Sequence, residues 1–120
     1  MSIDIFYDEP KNEAFFKMPK VLFSEKYKDL TAGAKLLYGL MLDRTSLSVK
    51  NKWCDKNGEV FIYYTVAETC EKLGCGHDKA TKLQRELVRH KLLRRERQGK
   101  KIFMAIDNKY IKNLQRFTAN

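Results

Sequence analysis

Apolar residues recur at helical spacing after Thr31, where Ala34, Leu37, Tyr38, Met41 and Leu42 fall on one face. The pattern predicts an amphipathic helix from Ala32 to about Thr45, capped at its start by the Thr31 hydroxyl. The next organised stretch alternates instead of repeating every three or four positions. Asn57-Gly58 separates Lys52-Trp53-Cys54-Asp55 from Val60-Phe61-Ile62-Tyr63, and that dipeptide favours the positive φ angles of a two-residue type I′ turn, so a β-hairpin is expected. Thr65-Val66-Ala67-Glu68 has the Thr-x-x-Glu form of a capping box, which predicts a second helix running through Cys70 and Leu73 and stopping at Gly74. Three residues later a third periodic run begins, with Ala80, Leu83, Leu87 and Leu92 on one face and Lys79, Lys82, Arg85 and Arg89 on the others.

Two helices joined by a short link containing glycine have the sequence form of a helix-turn-helix. Beyond the third helix, Leu92–Glu96 and Ile102–Ile106 are strand-like runs around the basic loop Arg97-Gln98-Gly99-Lys100-Lys101. Helix, turn, helix and basic hairpin is the order of a winged helix. The expected class is therefore α+β, a winged helix-turn-helix with an additional β-hairpin. A final helix is expected between Asn108 and Phe117, where Tyr110, Ile111, Leu114 and Phe117 keep helical spacing. Residues 15–120 are read as this domain. Residues 1–14 are read as an acidic, aromatic arm that is either a dimerisation element, through Ile3, Ile5, Phe6 and Tyr7, or an unstructured terminus.

Charge sharpens the picture because of where it lies. The whole chain has 24 Lys and Arg against 15 Asp and Glu, a net +9. Between Asp78 and Lys101 ten basic residues face three acidic ones, a net +7 in a fifth of the length. Concentrated positive charge attracts polyanions by releasing their condensed counterions. A solvated basic face without a partner remains the alternative on charge alone.

The third helix supplies the residue types that read a major groove. His77, Asp78, Lys79, Thr81, Lys82, Gln84 and Arg85 are expected to point away from the apolar stripe, with Arg89 further along. Lys and Arg donate to guanine, Gln pairs with adenine, Thr touches a thymine methyl and Asp accepts from cytosine. Tyr64 and Thr65, at the start of the second helix, are expected to set register on a phosphate. The wing adds Arg95, Arg97, Gln98, Lys100 and Lys101, suited to the backbone or the adjacent minor groove. Charges on edge strands also prevent aggregation, so the wing counts only in combination with the helices before it. The expected partner is double-stranded DNA.

Other chemistry is set aside on spacing. Cys70, Cys75 and His77, with Cys54 in reserve, lack the close Cys pairs of structural zinc sites, so no metal is expected. Cys70 reads as a core residue and Cys75 as part of a turn. His90 reads as a partner of a helix C-terminus or as a solvated residue. No nucleophile, phosphate loop or metalloprotease motif occurs in the sequence, so neither an enzyme nor a cofactor is expected. The aromatic hairpin is read as core on one face in preference to a single-strand stacking platform. An odd cysteine count, the absence of a long apolar run and the acidic N-terminus imply a soluble cytoplasmic protein with no membrane association.

Five short stretches together resemble the N-terminal domain of the RepA_N-type replication initiators of plasmids in Gram-positive bacteria, staphylococcal ones in particular. They are Phe15-Phe16-Lys17-Met18-Pro19-Lys20, Phe23-Ser24-Glu25-Lys26-Tyr27, Ala34-Lys35-Leu36-Leu37-Tyr38-Gly39, Trp53-x-Asp55-x-Asn57-Gly58 and Arg94-Arg95-Glu96-Arg97-Gln98-Gly99. The resemblance implies a winged helix that binds repeated sites in a plasmid origin, usually as a homodimer. It also implies a longer protein, in which a linker and a smaller C-terminal domain engage host replication factors. Many relatives have a longer wing tip, whereas here Gly99 leads directly to Lys100-Lys101-Ile102. A chromosomal or phage regulator acting on an operator, and a protein-interaction module, are the alternative readings.

Overall fold

A computed structural model of the chain describes residues 16–96 and 99–105. The expected arm, the wing-tip residues Arg97 and Gln98 and the expected C-terminal helix lie outside these residues. Two 3-10 turns, Lys20–Phe23 and Glu25–Tyr27, lead into α1 (Ala32–Lys50), followed by α2 (Val66–Leu73), α3 (His77–Arg89) and the antiparallel strands β1 (Leu93–Arg95) and β2 (Ile102–Met104). This is the winged helix, with α2 and α3 as the helix-turn-helix and β1–β2 as the base of the wing.

The predicted apolar stripes form the core. Ala34, Leu37, Tyr38, Met41 and Leu42 of α1 meet Leu83 and Leu87 of α3, with Leu92, Leu93 and Ile102 closing the cluster from the wing, and Ala80 of α3 is buried as well. Gly33 lets the helices approach closely, because a Cβ there would meet Leu83 at 3.2 Å. The Tyr38 hydroxyl donates to the Ala105 carbonyl at 2.9 Å, tying α1 to the end of β2.

Polar bonds set the rotation of α3 within this core. Glu86, only 4% exposed, accepts from the Thr31 amide at 2.6 Å and from the Thr31 hydroxyl at 2.9 Å. The same hydroxyl accepts from the Ala34 amide, so the cap of α1 is completed by a side chain of α3. A carboxylate at a helix N-terminus also meets the positive end of the helix dipole.

One boundary differs from the sequence expectation. Helix α1 continues to Lys50 because its stop signal is a lysine: Lys52 takes φ 60°, and the Trp53 amide reaches back to Ser48 at 2.8 Å. Lys91 ends α3 in the same way, at φ 59°, with Leu92 bonded to Leu87. Both are Schellman motifs in which the left-handed position is not glycine, whereas Gly74 ends α2 as predicted, at φ 63°.

The turn at Asn57-Gly58 is a three-residue loop and not the expected type I′ turn. Only Gly58 has positive φ there; its amide donates to the Asp55 carbonyl, and the Asp55 carboxylate accepts from the amides of Asn57 and Glu59. That carboxylate holds a type I turn with glycine in the bulge position. The hairpin is slight, a bridge between Cys54 and Val60, but Ile62 then pairs with Ile102 and adds a third edge to the wing.

Glu86→Ala removes two charge-assisted bonds that join α3 to the α1 cap, and is expected to lower stability by about 1–3 kcal/mol. Urea unfolding checks this through a lower midpoint at unchanged slope; a midpoint equal to wild type would show that the Thr31 contact contributes nothing.

Candidate nucleic-acid interface

Helix α3 is thirteen residues long, and its inner face is settled by Ala80, Leu83, Leu87, Gln84 and Glu86, all buried. Helical geometry then sends Asp78, Lys82, Arg85 and Arg89 outward as a single stripe. All four are exposed, as are His77 and Lys79. None of the four cations Lys79, Lys82, Arg85 and Arg89 has a carboxylate within ion-pair distance among the described residues. His77 and Asp78 lie 3.8 Å apart in the first turn, where Asp78 also favours the helix dipole.

Gln84 and Tyr64 require correction. Gln84 is 1% exposed, and its amide nitrogen donates to the Thr69 hydroxyl at 3.0 Å and faces the Tyr64 carbonyl at 3.5 Å. It joins α3 to α2 and is not presented to a groove. Tyr64 is 5% exposed, with the Arg44 guanidinium 4.9 Å from its ring centre. Burial, and secondly the nearby Glu68 carboxylate, push its phenol pKa up. The ring is core, because position 64 alternates with Tyr63 and shares the inward side with Ile62.

Thr65 is exposed and caps α2, its hydroxyl accepting from the Glu68 amide at 2.9 Å. The Glu68 carboxylate, expected to return to the Thr65 amide, is bound by Arg44, which also donates to the Tyr63 carbonyl. Thr81 is half-buried, with its hydroxyl covered and unpartnered. Cys70 and Cys75 are half-buried, at the end of α2 and in the link after it. The His90 Nδ1–H donates to the Glu86 carbonyl at 3.0 Å, the C-terminal contact expected of it.

The wing divides its cations. Arg94 is paired with Glu59 at 2.6 Å and lies over the Phe103 ring, while Lys101 lies 4.8 Å from the centre of the Phe61 ring. Lys100 is exposed. Arg95 turns to the opposite side, toward α3, where burial lowers its guanidinium pKa from the usual value. With Arg85 and Arg89 it lines a groove of about 480 Å³ between α3 and β1. The sequence reading missed Glu86 and Arg44, which orient α3 and α2. The available signal for Glu86 was an acid bordering the apolar stripe of an otherwise basic helix.

Gln84→Ala is expected to lower stability by about 1–3 kcal/mol, through a cavity and the partners it strands, whereas Lys82→Ala should stay within about 0.5 kcal/mol of wild type. Denaturant unfolding of the two variants separates them, and equal midpoints would place Gln84 at the surface.

Comparison with known proteins gives a consistent answer. The family described as the N-terminus of replication initiator protein A matches residues 14–119. A 41 kDa protein of Lactobacillus helveticus is 36% identical over 88 residues, covering 72% of this chain and 25% of its own length. The chain thus spans about a quarter of that relative. Among solved structures, one described as an MDR initiator is 34% identical with a TM-score of 0.67, covering 98% of this chain and 96% of the other. The N-terminal domain of a DNA-binding protein is 30% identical with a TM-score of 0.67, covering 98% and 92%. A Rep–DNA complex is 30% identical with a TM-score of 0.65, covering 97% and 92%. The chain belongs to the replication initiator protein A family and corresponds to its N-terminal domain.

Proposed function

We propose that this chain is the DNA-binding domain of a plasmid replication initiator, which recognises repeated double-stranded sites in an origin. The observation that carries the reading is the outward stripe of α3, where Lys82, Arg85 and Arg89 stand without acidic partners among the described residues. A helix of this size fits a major groove, and in helix-turn-helix proteins its first turns approach base edges. His77, Asp78, Lys79 and Lys82 occupy those turns. The structural likeness to a Rep–DNA complex supports DNA as the partner. The domain acts by binding, without a bond-making step or cofactor, and works in the cytoplasm where plasmid DNA resides. Engagement of host factors belongs to other parts of a longer initiator. No helix among the described residues is long and apolar enough to cross a membrane.

The functional unit is a homodimer in this reading. Val21 and Phe23 are 55% and 65% exposed, the Phe23 ring lies against Lys35 of α1, and Leu36 of α1 is also exposed. An apolar face of this kind suits a second copy. Phe23→Glu is expected to shift sedimentation toward the monomer while leaving the circular dichroism spectrum intact; an unchanged mass distribution would remove this face from the interface.

Binding to a cognate duplex is expected to fall by about three to five orders of magnitude between roughly 50 and 200 mM salt if a dimer makes about 6–10 phosphate contacts. Lys82→Ala should cost about 1–3 kcal/mol on the preferred sequence and relax discrimination at one base pair. A flat salt response, or equal loss on all sequences for Lys82→Ala, would count against base reading by α3. Footprinting on a plasmid origin separates the initiator from an operator-binding regulator, since tandem repeats support the first and a single promoter palindrome the second.

A further inference from the structure

The groove between α3 and the wing combines three features that a solvated basic surface lacks. First, its lining includes Arg85, Arg89 and Arg95 and no acidic residue, and these guanidiniums have no carboxylate partner among the described residues. Second, its wall carries buried polar atoms with no hydrogen-bond partner, the Thr81 hydroxyl and Gln84 Oε1. Gln84 is 1% exposed and its nitrogen is committed to Thr69, so the oxygen is fixed as an acceptor. Third, Arg95 is held from the opposite wall by the antiparallel pairing of β1 with β2, at the position opposite Ile102.

We propose that this groove seats a phosphodiester of the DNA backbone, clamped between Arg85 and Arg89 of α3 and Arg95 of the wing; the proposal rests on the DNA-binding reading above. The unpartnered Gln84 oxygen matches the chemistry: it accepts an N–H from a guanidinium turned into the groove and orients it. Guanidinium forks bind phosphate through paired, charge-assisted hydrogen bonds. The partial desolvation already borne by Arg95 strengthens its attraction to an anion. Base reading is then confined to the first turns of α3, and Arg85 and Arg89 hold the backbone that crosses between helix and wing.

The test uses the whole chain and a duplex that it selects from a random pool. Arg89→Ala and Arg95→Ala are each expected to weaken binding about 10- to 100-fold, as loss of a charge-assisted contact requires. The loss should be the same on every single-base-pair variant of the duplex, with the salt slope reduced by about 1 per variant. Neutral methylphosphonate linkages are then placed one at a time along each strand. At one linkage the neutral substitution should weaken wild type by a similar factor and leave Arg95→Ala almost unaffected. No such coupling at any linkage, or a changed base preference for either variant, overturns the clamp while leaving DNA binding intact. Failure of wild type to select any duplex overturns the functional reading itself, and the clamp with it. Inorganic phosphate is expected to compete no better than chloride at equal ionic strength. Phosphate-specific competition abolished by Arg95→Ala would make the groove a free-anion site and overturn its assignment to the DNA backbone.

Discussion

The placement of every candidate contact depends on how α3 is rotated about its own axis, and two buried polar side chains fix that angle. Hydrophobic packing through Ala80, Leu83 and Leu87 specifies a face, but apolar contact is non-directional and tolerates rolling. Hydrogen bonds are directional. Glu86 reaches one way to the cap of α1, and Gln84 reaches the other way to Thr69 on α2. Because a helix advances 100° per residue, these bonds leave only one orientation for Lys82, Arg85 and Arg89. The carboxylate on α3 serves two ends at once, since it completes a cap that Thr31 alone leaves half satisfied.

Most of the fold was legible because it rests on periodicity. The stripes of α1 and α3 and the glycine stop of α2 follow from spacing and from one residue type. What was not legible has a common cause, the use of ordinary residues where a special one is usual. Lys52 and Lys91 occupy left-handed positions that sequence reading assigns to glycine or asparagine. No letter therefore marked the end of α1, and its last residues, including buried Ser48 and Val49, fell outside the expected helix. At the hairpin the glycine was recognised and the turn was not, because the deciding group is the Asp55 carboxylate three residues before it.

The candidate site was legible to the extent that polarity predicts exposure. That rule placed Lys82, Arg85 and Arg89 correctly and failed at Gln84 and Tyr64. Glutamine on a basic helix looks like a base reader until its neighbours are known. Here α2 presents a hydroxyl and the preceding segment a carbonyl at the right height, and the amide is spent inside. Tyr64 shows the complementary failure: proximity in sequence to a helix N-terminus placed it at a phosphate site, while strand alternation turned its ring inward beside Ile62.

The wing shows why a count of cations overstates the number of phosphate contacts. Its strands are three residues each, too short to be stable on their own pairing. Their outer face is completed by Phe61 and Phe103, whose rings would be exposed on so narrow a sheet without cover. Arg94 and Lys101 lay their cationic ends over those rings, and Arg94 is further held by Glu59. Long basic stems cover apolar surface while their charges stay near water, so both residues hold the wing together. Arg95 alternates to the other face and meets α3 instead. The same alternation that gives a strand two faces thus separates structural cations from those free to meet an anion. The net charge of the segment is shared between holding the wing and holding DNA, and position in the pleat decides which task each residue performs.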